Sequence, residues 1–335
     1  MKAEHPLRAV PVSFFAIVLG LSGLGSAWRI ASAIWGLPRY IGEGVLALAS
    51  VVWLVLLISY VYKWLKARSD AVAELGHATL CCFVGLVGVS TMLVGGAALP
   101  YSRSFAMVLF GAGASYTVAF AVWRMGSLDM GGRDPSANTA ILYLPAVAGS
   151  FVAATVAGAL GHADWGQYAF GAGLFSWLAI ESVLLHRLYT APAMAPPLRP
   201  TMGIQLAPPA VGTMAYLSIT SGPPGLFAHA LLGYAVLQAL VLIRLLPWIR
   251  EQPFGVSYWA FGFGVTALAI APLLMIQRGD SGPVLLLAPP LFVAANVIIA
   301  LLAVGTVRYW LRAERLPAPT PLRIECDAVA PPGSD

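Results

Sequence analysis

Charge is what this sequence has least of. Asp, Glu, Lys and Arg make up 10% of its 335 residues, against roughly 25% in an ordinary soluble domain, which excludes a soluble globule of this size. Cysteine is nearly as scarce. Cys81 and Cys82 adjoin in an apolar run and Cys326 stands near the end, a spacing that fits neither a disulfide framework nor a thiolate metal site. His162 with Asp164, and His186 beside Arg187, form no cluster with metal-ligand spacing. No Ser or Thr is accompanied by a plausible His base, and Gly111 with Gly113 and Gly171 with Gly173 do not follow a strand as a nucleotide-binding fingerprint requires. The reading is therefore of no metal, no cofactor and no enzyme. The net charge of +5 is dispersed along the chain, so no nucleic-acid partner is expected.

Apolar length is abundant instead. Hydrophobic residues make up 59% of the chain, and ten segments reach the roughly 20 residues needed to cross a hydrocarbon core. They are 12–34, 45–65, 78–97, 104–125, 139–160, 166–189, 201–221, 226–249, 257–276 and 284–311. This predicts an all-α integral membrane protein crossing the lipid many times. If both termini and the loops after even-numbered spans share one side, that side collects 15 of the 19 basic residues, among them Lys2, Arg8, Arg315 and Arg323. Only Arg29, Arg39, Arg103 and Arg278 fall opposite, which places both termini in the cytoplasm.

The odd-numbered spans start at 12, 78, 139, 201 and 257, so the unit is a helical hairpin of about 60 residues used five times. Gly, Pro, Ser and Thr occupy 34 of 106 positions in the odd spans and 18 of 119 in the even ones. Small residues permit close helix approach, and a broken ladder in hydrocarbon must be covered by protein or water, so the odd helices belong inside. Five hairpins with pseudo-fivefold symmetry around a central pore are the expected architecture, as one channel domain over 1–315. Residues 316–335, rich in Pro and Ala, read as a disordered cytoplasmic tail.

Candidate functional residues are few. Glu181 and Arg244 are the charges furthest inside spans, and counting 1.5 Å per residue leaves a mutual salt bridge possible. Snorkelling of Arg244, or a proton-coupling role for Glu181, are the alternatives. The inner spans carry no central charge, so an anion route would rest on hydroxyls such as Ser90, Thr91, Thr155 and Thr213 and on backbone freed at Pro145, Pro208 and Pro209. Gly20, Gly88, Gly149, Gly212, Gly262 and Gly264 join Thr91, Pro145 and Pro208 as expected pore-lining or kink positions. In Trp259-Ala260-Phe261-Gly262-Phe263-Gly264 bulky rings alternate with glycines, so a ring projects into a lumen or fills core space.

These residues carry a resemblance. Ser90-Thr91-Met92-Leu93-Val94-Gly95, Tyr143-Leu144-Pro145-Ala146-Val147-Ala148, Phe170-Gly171-Ala172-Gly173, Thr201-Met202-Gly203-Ile204 with Leu206-Ala207-Pro208, Arg244-Leu245 with Pro247-Trp248-Ile249, and Trp259-Ala260-Phe261 with Phe263-Gly264 make the chain similar, over about 11–312, to the tellurite-resistance and dicarboxylate transporter family. That family includes bacterial TehA-like proteins and plant slow anion channels. The resemblance implies a ten-helix bundle with odd helices lining a pore, a homotrimer, and a pore occluded by the ninth-helix Phe that aligns with Phe263, with Phe261 as its neighbour. Where TehA-like sequences carry Pro in the first and third helices this chain has Val18 and Gly88, so kinks there are expected to be milder or shifted. The implied activity is a gated channel for small monovalent anions in the bacterial inner membrane. A proton-coupled carrier of dicarboxylate, sulfite or tellurite is the alternative, and a membrane enzyme or sensor using the axial space is a third.

Overall fold

A computed structural model describes residues 10–313, and among them all regular structure is helical. The expectations for Lys2, Arg8, Arg315, Arg323, Cys326 and the tail 316–335 lie outside the described residues. In chain order the helices are α1 (Phe15–Trp35), α2 (Arg39–Lys66), α3 (Arg68–Gly76), α4 (Leu80–Phe83), α5 (Leu86–Ala98), α6 (Arg103–Asp129), α7 (Gly149–Ala159), α8 (Ala163–Thr190), α9 (Ala207–Ile219), α10 (Leu226–Ile249), α11 (Gly262–Gln277) and α12 (Val284–Ala313).

Among the described residues nine helices are long and apolar enough to cross a membrane. The expected span 201–221 is not one of them. There a 3-10 segment, Pro196–Leu206, runs into the 13-residue α9, and Gln205, Pro208, Pro209 and Thr213 dilute its apolar run. Burial separates two classes. Windows of the first, third, fifth and ninth expected spans are 67–78% buried, whereas those of α2, α6, α8, α10 and α12 are 22–28% buried. The buried helices close a cycle in which α1 packs on α5, α5 on α7, α7 on α9, α9 on α11 and α11 on α1. Each also packs on the outer helix that follows it in the chain.

None of the buried helices starts cleanly. A 3-10 turn, Val12–Phe14, precedes α1; the interruption at Val84–Gly85 separates α4 from α5; a π turn, Leu144–Ala148, precedes α7; and 3-10 segments Pro196–Leu206 and Val256–Phe261 precede α9 and α11. Pro145, Pro208 and Pro209 lack the N–H that a regular ladder needs, which accounts for the breaks before α7 and α9. At the two positions without proline the chain behaves differently. Val18 sits in an uninterrupted α1, and the third span breaks at Val84–Gly85 instead of at Gly88.

The outer helices carry their own repeat, which composition did not reveal. Gly42 and Ala49, Ala106 and Gly113, Gly166 and Gly173, Ala228 and Ala235, and Ala288 and Ala295 are pairs of small residues seven apart, all buried. The first members recur at intervals of 64, 60, 62 and 60 residues. Seven residues are nearly two turns, so each pair faces one way and lets the outer helix lie close on its inner partner, where lipid offers no hydrophobic push. A Cβ on Gly113 would stand 2.7 Å from the Gly88 carbonyl oxygen, whereas one on Gly111 would meet nothing within 4 Å. Gly113→Ala should therefore cost about 1–3 kcal/mol through overpacking. Gly111→Ala should be neutral or stabilising by up to about 1 kcal/mol, and thermal unfolding of the detergent-solubilised protein reads both.

Candidate functional site

The cycle of inner helices encloses a cavity of about 40 Å³, which on the scale of ~10–15 Å³ per water holds roughly three. Every inner segment contributes to its wall, through Leu19, Leu86, Val147, Pro208 and Phe263 among others. These residues lie in the first two turns of α1, the first turns of α5, α9 and α11 and the π turn ahead of α7, so the cavity sits near where irregular backbone passes into regular helix. Its wall is carbon. The two polar side chains, Tyr143 and Trp259, turn their donors outward, Tyr143 to Glu181 and Trp259 Nε1 to Thr306 Oγ1 at 2.8 Å.

The hydroxyls expected along an anion route are engaged elsewhere. Ser90 and Thr91 donate to the Val87 carbonyl at 3.0 and 2.7 Å, Thr155 to Phe151 O at 2.9 Å and Thr213 to Pro209 O at 2.8 Å. Thr91 Oγ1 also accepts from Trp53 Nε1 of α2 at 3.1 Å. None of the four lines the cavity, because a hydroxyl in an apolar helix bonds its own backbone when no water competes.

Of the expected lining positions, Pro208 and Phe263 border the cavity, and Phe263 is buried there. Phe261 does not border it: its ring lies over Gly203, where a Cβ would come within 2.6 Å. Pro145 is buried in the π turn. The glycines set helix approach. Gly262 lies on Gly20, Gly88 and Gly149 both face Thr117 of α6, Gly212 takes the Phe151 ring, and Gly264 meets Leu206.

Glu181 and Arg244 are not partners. Arg244 is exposed on α10, as snorkelling requires, while Glu181 is buried on the inward stripe of α8. Its carboxylate accepts from Tyr143 and Trp177 at Oε2 and from Tyr234 at Oε1, the last two at 3.1 and 3.0 Å. Gln238 donates to the Tyr234 hydroxyl at 2.8 Å, extending the chain of bonds to α10. The spacing of four along α8 could have paired Trp177 with Glu181, but periodicity within one helix could not reveal the donors from two other segments, although an aromatic immediately before the Pro145 break was a usable signal for Tyr143. A buried Lys63–Glu74 pair at 2.7 Å, with the Val12 N–H 3.4 Å from Glu74 Oε1, also escaped the sequence reading, because Glu74 falls in what reads as a loop.

At the opposite end, three of the four basic exceptions satisfy helix C-termini. Arg29 donates to Ala97 O at 3.0 Å, Arg103 to Leu160 O at 2.6 Å, and Arg278 to Leu217 O at 2.9 Å and Gly222 O at 2.8 Å. Arg39 joins Arg29 on Glu43, at 3.2 and 2.6 Å.

The buried helices thus close around a small cavity with no charged side chain in its wall. Residues 9–307 match the SLAC1 model, described as voltage-dependent anion channel. The chain belongs to this SLAC1 anion-channel family. It is 34% identical to the "Tellurite resistance protein TehA homolog" of Haemophilus influenzae over 299 residues, 89% of this chain and 90% of that protein. An uncharacterized transporter of Methanocaldococcus jannaschii is 22% identical, covering 79% of this chain and 83% of its own length. The guard cell S-type anion channel SLAC1 of Arabidopsis thaliana is 22% identical over 161 residues, 48% of this chain and 29% of the plant protein. Membership of the SLAC1 family makes this a multi-pass membrane protein of an anion channel and transporter family.

The bonds to Glu181 generate a test. Glu181→Leu strands three donors and should cost about 1–3 kcal/mol for each one left unpaired, whereas Glu181→Gln keeps an acceptor oxygen and should cost less. The melting temperatures in detergent should rank parent, Gln variant, Leu variant in falling order.

Proposed function

We propose that the protein is a gated channel for small monovalent anions in a bacterial inner membrane, with Phe263 occluding an axial pore of pseudo-fivefold symmetry. The observation that carries this reading is the narrow cavity to which all five inner segments contribute, carbon-walled and bordered by Phe263. The irregular segments ahead of the five inner helices lie beside it, and the positive ends of the helix dipoles point to that side, which favours an anion without any fixed cation. A wall with no group to replace lost water makes dehydration the main barrier, so an easily dehydrated anion passes better. The basic ends of the outer helices face the cytoplasm on this reading, with both termini on that side, and a homotrimer is carried over from the family resemblance.

Purified protein in liposomes tests the gate directly. Phe263→Ala should raise anion flux about tenfold or more, equivalent to about 1.4 kcal/mol off the barrier, while Phe261→Ala, whose ring lies on Gly203, should change it little. Equal flux in the parent and Phe263→Ala would remove Phe263 as the gate. In the open variant nitrate should exceed chloride, read from reversal potentials or parallel flux assays.

One observation favours a second reading, a proton-coupled carrier of dicarboxylate, sulfite or tellurite oxyanions. Tyr143 borders the cavity and also bonds the buried Glu181, which connects a titratable group to the axial space. Uphill uptake driven by an imposed pH gradient, and lost in Glu181→Gln, would select the carrier. Uptake strictly down the electrochemical gradient would select the channel.

A further inference from the structure

A second cavity, of about 550 Å³, opens on the outer surface of the bundle between α2 and α6. Its volume falls within the ~300–1,000 Å³ typical of ligand pockets. The walls are apolar and aromatic, with Trp64 on α2 and Tyr116, Phe120 and Trp123 on α6, and the floor is Val84 and Val87. Leu65 and Trp123 at its edge are 74% and 47% exposed, so the groove faces the lipid.

The floor segment has two faces. Phe83 and Leu86 border the axial cavity, while Val84 and Val87 border the groove. This is the interruption between α4 and α5, where the helix is broken at Val84–Gly85 without a proline to hold the break rigid. A body filling the groove therefore presses on Val84 and Val87, which alternate along the chain with Phe83 and Leu86 of the axial cavity wall.

Charge at the mouth selects the occupant. Lys63 is paired with Glu74, but Lys66 and Arg68, which follow Leu65 of the groove wall at the end of α2 and the start of α3, are exposed. Neither cation makes an ion pair among the described residues, and Asp70, two residues beyond Arg68, is itself exposed to water. Basic pockets between membrane helices hold anionic head groups, and an apolar contact between subunits would have no use for unpaired cations at its rim.

We propose that this groove binds an acyl chain of an anionic phospholipid whose head group is held by Lys66 and Arg68, and that its occupancy sets the position of Phe83 and Leu86 in the axial cavity. The second half rests on the channel reading; the first does not. The full-length chain is purified for native mass spectrometry and reconstituted into phosphatidylcholine vesicles with and without phosphatidylglycerol. Ala119→Trp fills the groove from an exposed position on α6, and Lys66→Gln with Arg68→Gln removes cations but leaves the groove open. The parent should retain phosphatidylglycerol in preference to phosphatidylcholine. Ala119→Trp should lower retention of either lipid about tenfold, and the double variant should lose the preference. Parent flux should depend on phosphatidylglycerol and the variants' flux should not. Equal retention in parent and Ala119→Trp overturns the site, as does a change of oligomeric state in that variant with retention unaltered, which would make the groove a subunit contact. Retention without lipid-dependent flux overturns the coupling alone. Absence of flux even in Phe263→Ala sinks the channel reading and leaves retention to decide the site.

Discussion

Hydrocarbon supplies no hydrogen bonds, and that constraint organises this molecule. Each inner helix begins with 3-10, π or interrupted backbone, and such backbone is tolerated at membrane depth only when protein covers it. The outer helices provide the cover. Their buried small-residue pairs let backbones approach closely, and the Gly88–Gly113 approach in the second hairpin shows how little room is left at such a contact. Irregular inner helices and uninterrupted outer ones are thus one solution to one problem.

The same constraint shapes the polar groups. Ser90, Thr91, Thr155 and Thr213 bond their own helices, Glu181 collects three donors, and the arginines at the end opposite the basic one satisfy the last carbonyls of α5, α7 and α9. With these groups engaged, the axial cavity is left with carbon walls.

Much of the architecture was legible because its signals are one-dimensional. Apolar run length marked the spans, and the concentration of Gly, Pro, Ser and Thr in alternate spans marked the inner class. The seventh span was read as equivalent to the others, yet its backbone divides at Leu206 between a 3-10 segment and α9. The candidate site was less legible. Phe263 and Pro208 border the cavity, but the glycines turned out to mediate helix contacts and the hydroxyls to be engaged, since a residue type reports that something is small or polar and not which neighbour it meets.

By itself the sequence determined that the chain crosses a membrane repeatedly, in hairpins of about 60 residues whose odd members pack inside, because span length, charge and composition act along the chain. Only the tertiary structure decided that Glu181 answers to Tyr143, Trp177 and Tyr234 rather than to Arg244, that Phe261 covers Gly203 while Phe263 borders the axial cavity, and that Phe83 to Val87 separate a lipid-facing groove from that cavity. Those facts depend on the rotation of one helix about its axis against another. Rotation is set by interlocking side-chain shapes from segments far apart in the chain, and no linear pattern records it.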